Sequence, residues 1–454
     1  MPRPLKIANA SGFWGDQPEA AARLVAAQPD LDYLTFDYLA EVSLSIMAIV
    51  RAKNPAAGYA RDFVEVLGSL VPFYLRGGRT RLVTNAGGLD PQSCAEACLA
   101  VLRQAGIEHL IVAVVFGDDV LGHLQGDLTA TSFSNLETGA DVRAIAPRLV
   151  TANAYLGADS IAAAITAGAD IVITGRVADP SLTVGPCEAH FGWGREDYDR
   201  IAGATVAGHL IECGTQSCGG FSTDWLDLPD QHDIGFPIVE ISGDGSCVVT
   251  KPPGTGGGVN VQTVKEQLLY EIGDPADYLS PDVRVSFLTI KVKEIAPNRV
   301  AVSGASGRPP TDSYKVSATY RDGYKAHGML TIFGHDAVKK AHHAGEGILR
   351  RLTERGCDFR ETLVECLGTG ASVRGLGSRM SDTQLVETVL RVSVAADTKE
   401  PVTRFTREIA PLVTCGPQGV TGYASGRPKV MPIFGYWPCL ITKDQVTASF
   451  QLLN

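Results

Sequence analysis

His209, Glu212 and Cys213 stand three and four residues apart, a spacing that places all three on one face of a helix. An imidazole beside a carboxylate and a thiol makes an acid–base set, or a thiol nucleophile with its base. The same residue types can bind zinc, but the trio matches no standard ligand signature, and no metal is expected. The plainer reading is a helix end with a buried thiol and a surface His–Glu pair. A second group lies in Thr174–Ser181, where Arg176 follows a strongly apolar run. Its guanidinium can clamp a carboxylate or phosphate through two parallel hydrogen bonds. Asp179 is then a general base, or the residue that fixes Arg176 in a structural ion pair.

Around these stand loops rich in glycine. Ser11, Gly12 and Asp16 belong to Asn9–Asp16; Asn85, Gly87 and Gly88 to Thr84–Asp90; Gln216 to Gly208–Gly220; and Gly256 and Gly257 to Pro252–Asn260. Glycine permits tight turns and close backbone approach, and unpaired amides at a following helix start suit an anion. All nine residues are therefore candidate substrate contacts together with Arg176. Each loop also has a structural reading: a plain strand-to-helix turn, an Asp90 helix cap ahead of Pro91, or a flexible connector. No GxGxxG, Walker, GxSxG, HExxH, kinase or EF-hand pattern occurs, so no dinucleotide or other cofactor is expected.

The elements that position these residues follow from hydrophobic patterning. In the first half, short continuous apolar runs (Leu5–Ala8, Tyr33–Phe36, Arg81–Thr84, His109–Val115, Leu149–Ala152 and Asp170–Thr174) alternate with helical stretches such as Pro91–Ala105. That rhythm predicts an α/β fold with a mostly parallel sheet wrapped by helices. The second half reads as an α+β domain: a hairpin of Val283–Ile295 with Arg299–Gly304, another turning at Arg321–Gly323, a strand at Val389–Ala396, and helices at Gln262–Ile272 and His335–Arg355. The turn-rich stretch at 224–236 divides the two, giving domains 1–228 and 229–454. In such a sheet ligands bind beyond the carboxyl ends of the strands. The loops at Asn9, Asn85, Arg176 and His209 should therefore converge, with the Gly254–Gly258 loop covering the site.

Composition narrows the class. Of 454 residues 20% are charged, with a formal net charge of −10. That argues against nucleic acid as a partner. The start has no apolar signal-like region and no stretch is long enough to span a bilayer, so a cytoplasmic protein without membrane attachment is expected. Ten cysteines without a CxxC pair read as reduced, mostly buried thiols.

The stretches SGFWGD, FDYLAE, TNAGGLDP, ITGRVADPSL, GHLIECGTQSCGG, GTGGGVNVQTVKEQLLYEIGDPADYLSPDV, CGPQGVTGY and RPKVMPIFGYWPCLI occur in this order over most of the chain. Together they resemble the acyclic terpene utilisation (AtuA) family. The resemblance implies catabolic chemistry on a small carboxylate or a branched or terpenoid acyl-CoA. It also implies a small ferredoxin-like domain, which longer members append and which here would be a separate subunit or dispensable. Cys218 departs from the family pattern, which more often has a hydroxyl or small residue there. The expected activity is that of a lyase of hydratase or dehydratase type, in a homo-oligomer, with Asp179, His209, Glu212 and Cys213 as catalytic groups. The alternatives are a hydrolase or thioesterase with Cys213 as nucleophile, and a non-catalytic acyl-CoA-binding or scaffold subunit.

Overall fold

In the computed structural model, residues 3–40, 42–126, 133–373, 385–423 and 425–454 are described. The apolar runs of the first half become β1 (Leu5–Asn9), β2 (Tyr33–Phe36), β3 (Arg81–Thr84), β4 (Val112–Phe116), β5 (Leu149–Ala154) and β6 (Ile171–Thr174). Five of them form a parallel core in the order β1-β2-β3-β6-β4. The register places Ile7 opposite Tyr33, Leu82 opposite Ile171 and Val114 opposite Ile173. These side chains are buried, as expected for strands covered on both faces. β5 departs from the expectation. It pairs instead with the strand Ser313–Phe333, because it carries polar inward residues. Thr151 meets the Thr319 hydroxyl at 2.7 Å, and Asn153 donates to Asp118 at 2.8 Å.

Antiparallel strands extend the sheet to ten. β7 (Ile238–Ile241) pairs with β1, β8 (Cys247–Thr250) follows, and then the hairpin Arg299–Ser303 with Lys291–Ala296; at the far edge Ser449–Leu453 pairs with β4. The chain divides into two compact units, Met1–Thr319 with Tyr436–Asn454, and Tyr320–Gly435. The turn-rich stretch at 224–236 therefore falls inside the first unit. The reason is edge pairing: β7 completes the open edge of β1 with its own backbone groups, so the sheet continues past the polar turns.

The second unit is an antiparallel sheet in the order Glu361–Leu367, Glu387–Ala396, the later part of Ser313–Phe333, and Val420–Tyr423. The helix Ala337–Glu354 packs its apolar side on it through Ala341, Ile348 and Leu352. The turn expected at Arg321–Gly323 is absent. One strand runs through from Ser313 to Phe333, and Gly323 at φ 88° passes close to the Ala396 carbonyl, which a Cβ would meet at 2.5 Å. The Val283–Ile295 run is likewise two strands, Arg284–Ser286 and Lys291–Ala296. Among the described residues no helix is long and apolar enough to cross a membrane.

Two helices of the first unit matter for the site. In Tyr198–Glu212 every residue from Ile201 to Ile211 is buried, as in a helix surrounded by protein. It lies close to its neighbours at glycines: a Cβ at Gly203 would sit 2.2 Å from the Gly245 carbonyl, and one at Gly208 2.9 Å from Pro180. The helix Val261–Leu269 starts on a reciprocal cap, with Asn260 accepting from the amides of Gln262 and Thr263.

Candidate functional site

The carboxyl ends of the five parallel strands deliver Asn9, Asp37, Asn85, Asp118 and Arg176 to one edge. All five side chains are at least nine-tenths buried, and buried polar groups must be hydrogen-bonded. Asn9 Nδ2 donates to the carbonyls of Ser11, Ile211 and Glu212, tying the end of the Tyr198–Glu212 helix to β1. Asn85 Oδ1 accepts from Tyr38 N and its Nδ2 donates to Asp37 Oδ1, both at 2.7 Å. Asp118 Oδ2 accepts from Arg176 N and Asn153 Nδ2, each at 2.8 Å.

Above this edge opens a cavity of about 870 Å³. Arg176 reaches it with its guanidinium carbon 4.0 Å from the centre of the Tyr155 ring. Nη1 donates to the Leu39 carbonyl and Nη2 to Asp179 Oδ1 at 2.5 Å. Asp179 thus fixes Arg176. On the opposite wall His209 has both ring nitrogens occupied. Nε2 donates to the Gln267 carbonyl at 2.8 Å, and Nδ1 lies 2.9 Å from Glu212 Oε1. A carbonyl only accepts, so Nε2 carries a proton. Burial works to lower the His209 pKa, but the Glu212 carboxylate and the Gln267 carbonyl outweigh it and the net direction is upward. The second oxygen of Glu212, Oε2, is buried without a hydrogen-bond partner.

Asp37 is the most perturbed acid of the cavity. Burial pushes it from 3.8 to about 7, against the opposing pull of the Arg176 guanidinium and the Asn85 bond, and Glu212 adds to the rise. Asp118 beneath is pushed to about 6, again chiefly by burial. Burial also moves the Tyr155 hydroxyl up to about 12 and raises Tyr278 and the Cys213 thiol, the last with help from Glu212.

Of the residues singled out in the sequence, Gly12, Asp16, Arg176, Asp179, His209, Glu212, Cys213 and Gln216 line this one cavity. The others do not. Ser11 is buried behind it, with its hydroxyl on the Phe13 carbonyl. Asn85 lies one step behind, acting on Asp37. Gly87 and Gly88 serve packing: a Cβ would come within 2.5 Å of the Thr174 carbonyl at the first and 2.3 Å of Met47 Sδ at the second. The loop at Gly254–Gly258 does not cover the cavity. The amides of its glycine run are already spent, Gly256 N on the Asp233 carbonyl, Gly257 N on Pro229 and Gly258 N on Cys218, so those three are not offered to an anion. Cys218 is fully buried and pushed up to about 12. All ten cysteines are free. Among the described residues no group of three or more His, Cys, Asp or Glu side chains could hold a metal ion.

Asp37, Tyr155, Tyr278, Glu271 and Lys315 line the cavity and escaped the sequence reading. Asp37 was within reach of it, since it immediately follows β2 as Asn85 follows β3. It was passed over because its loop has no glycine.

No curated protein matches the chain. Among solved structures, a homoserine dehydrogenase from Thiobacillus denitrificans aligns over 92% of this chain and 84% of its own at 9% identity, with a TM-score of 0.16. That likeness carries no argument about fold or chemistry. The family model described as acyclic terpene utilisation family protein AtuA matches residues 5–452, nearly the whole length, and the chain belongs to that family.

Proposed function

We propose that this protein is a lyase of hydratase or dehydratase type acting on a small carboxylate or a branched or terpenoid acyl-CoA. Family membership suggests a role in acyclic terpene utilisation. The observation that carries the reading is the pairing of unlike carboxyl groups in one cavity. Asp37 titrates near 7, so it holds a proton at neutral pH in a large fraction of molecules. Glu212 is held by His209 with one oxygen unpartnered. A carboxyl group that holds a proton near neutral pH, beside a second one with an unpartnered oxygen, can serve as general acid and general base.

In dehydration Glu212 would take the proton from the carbon next to the carbonyl, and that electron pair would form the new double bond. The C–O bond to the departing hydroxyl breaks, and Asp37 supplies the proton that makes it water. Hydration is the reverse. Arg176 would hold the carboxylate or thioester oxygen on which negative charge grows. His209, with both nitrogens committed, is a positioning residue for Glu212, and Asp179 positions Arg176. Exposed Phe13, Phe221 and Leu279 on the cavity lining suit the aliphatic part of a branched acyl group.

The test is proton exchange. In D2O a panel of short branched acids and acyl thioesters should gain deuterium next to the carbonyl, read by NMR. Glu212→Gln should abolish it, whereas Asp37→Asn should leave it in place and stop the loss of water from hydroxylated substrates. Exchange that persists in Glu212→Gln removes Glu212 as the base.

A further inference from the structure

Charge in the cavity is lopsided. Five carboxylates line it (Asp16, Asp37, Asp179, Glu212 and Glu271) against Arg176 and Lys315, with His209 committed to Glu212. Two of the five are spent on the protein: Asp16 accepts from the amides of Gly12 and Gln17, and Asp179 from Arg176. Asp37 and Glu212, the latter with one oxygen unpartnered, serve the chemistry proposed above.

Glu271, whose carboxylate also engages the Tyr270 side chain, stands apart for a backbone reason. The helix Val261–Leu269 ends and Tyr270 turns extended. Glu271 then takes φ 61°, the left-handed conformation. Glycine adopts it without penalty and ends many helices this way; a side chain with a Cβ does not. Tyr270, Glu271 and Ile272 all line the cavity, and the Tyr270 ring is fixed edge-on against Phe221 with centroids 5.9 Å apart. The Glu271 carboxylate is near enough to act on His209, Cys213 and Tyr278. Residues held in disfavoured backbone regions concentrate where function over-determines them.

We infer that Glu271 is a specificity-determining residue that accepts a hydrogen bond from a neutral donor of the ligand, a hydroxyl on its acyl part or an amide N–H on a pantetheine arm. The inference rests on the reading of the cavity as a ligand site. A cavity with surplus acceptors and few cations fits a ligand with one negative end and further donors: a hydroxy acid or its thioester. A polyanion bound inside would face the unneutralised carboxylates.

Four probes separate the cases: 3-hydroxybutanoate, butanoate, and the pantetheine thioester of each. Binding is measured by calorimetry on the full chain, without turnover, so the result does not depend on the lyase chemistry. Glu271→Gly relieves the backbone, and its melting temperature should equal or exceed that of the parent; lost binding is then not lost folding. If Glu271 reads the acyl hydroxyl, the parent prefers the hydroxylated probes by at least about tenfold and Glu271→Gly reduces the ratio to about one. If it reads the arm, Glu271→Gly weakens both thioesters equally and leaves the free acids unchanged. Glu271→Gln, which keeps an acceptor oxygen, should retain part of either preference. Equal affinities of parent and Glu271→Gly for all four probes overturn the inference, and so does failure of the parent to bind any. Deuterium exchange that continues beside equal affinities would leave the lyase reading standing and remove this one alone.

Discussion

Replacing Asp37 by asparagine should make the protein more stable and less active at once. A buried carboxyl moved from its ordinary value of 3.8 to about 7 costs the folded state about 4 kcal/mol once ionised, at ~1.36 kcal/mol per pKa unit. The direction is that of a raised acid. Its contribution is intact below pH 3.8, is lost as the pH rises through 7, and is constant above. Asparagine carries no charge at any pH, so the advantage of Asp37→Asn should appear above pH 4, grow to about pH 7 and then level off. The amide keeps the oxygen that accepts from Asn85 and from Leu39 N, but its new N–H groups need partners. That offsets roughly 1 kcal/mol. The expected gain is therefore about 3 kcal/mol at pH 8.5 and close to nothing at pH 4.5. Urea unfolding followed by tryptophan fluorescence at the two pH values measures it, with the midpoint moving at unchanged slope. Turnover should fall by about 10²- to 10⁴-fold, the usual worth of a general acid. A variant no more stable at pH 8.5 than its parent, or a stability gap independent of pH, would refute the account of Asp37 as a strained acid.

His209→Gln should destabilise most at low pH. The His209 pKa is raised in the fold, so its contribution is full below about 6.5 and fades as the pH climbs through the higher folded value; a gap in urea midpoint that is the same at pH 6 and pH 9 would contradict this. Cys213→Ser should lose less than about tenfold in kcat/KM, whereas loss of a true nucleophile costs several orders of magnitude, because burial and Glu212 hold this thiol protonated. Gly257→Ala, at φ 71° with a Cβ 2.4 Å from the Cys218 carbonyl, should cost about 1–3 kcal/mol of stability while leaving ligand affinity unchanged by calorimetry. Gly12→Ala should impair both, since its Cβ would lie 2.5 Å from Gly214 N at the cavity wall.

Legibility of the fold followed the range of the interactions involved. β1, β2, β3 and β6 could be read to within about a residue, because burial on both faces writes an uninterrupted apolar run into a local window. Asp90 before Pro91 declared a helix start for the same local reason, and its Oδ1 accepts from Ser93 N. β5 carries a similar run yet sits elsewhere, since its partner lies some 160 residues on and no window contains both. The Arg321–Gly323 triplet has turn composition but continues a strand, because the neighbouring Glu387–Ala396 supplies the pairing from Tyr324 onward. The glycines of Gly256 and Gly257 were read as ligand contacts for want of knowing what stood opposite. They face Asp230 and Cys218 carbonyls, and only the tertiary structure tells a glycine that admits a ligand from one that admits another strand of backbone.

The site divides along the same line. That loops at Asn9, Arg176 and His209 meet was deducible, because parallel strands must end at one edge. Which of their acids holds a proton was not. The Asp37 value is set by burial, by a guanidinium from the loop after β6, by an amide from the loop after β3 and by a carboxylate at the end of a helix. The three groups come from three distant parts of the chain. His209 shows the converse: at the right spacing from Glu212 and Cys213 to look like their base, it loses that role to one carbonyl, of Gln267, that occupies its second nitrogen. Spacing thus identified the residues that share the cavity, while their division into acid, base and support depends on partners that only the fold brings in. Within this family the more telling comparison is therefore whether the Asp37, Asn85 and Arg176 positions vary together, since a change in any one alters the proton affinity of the other two.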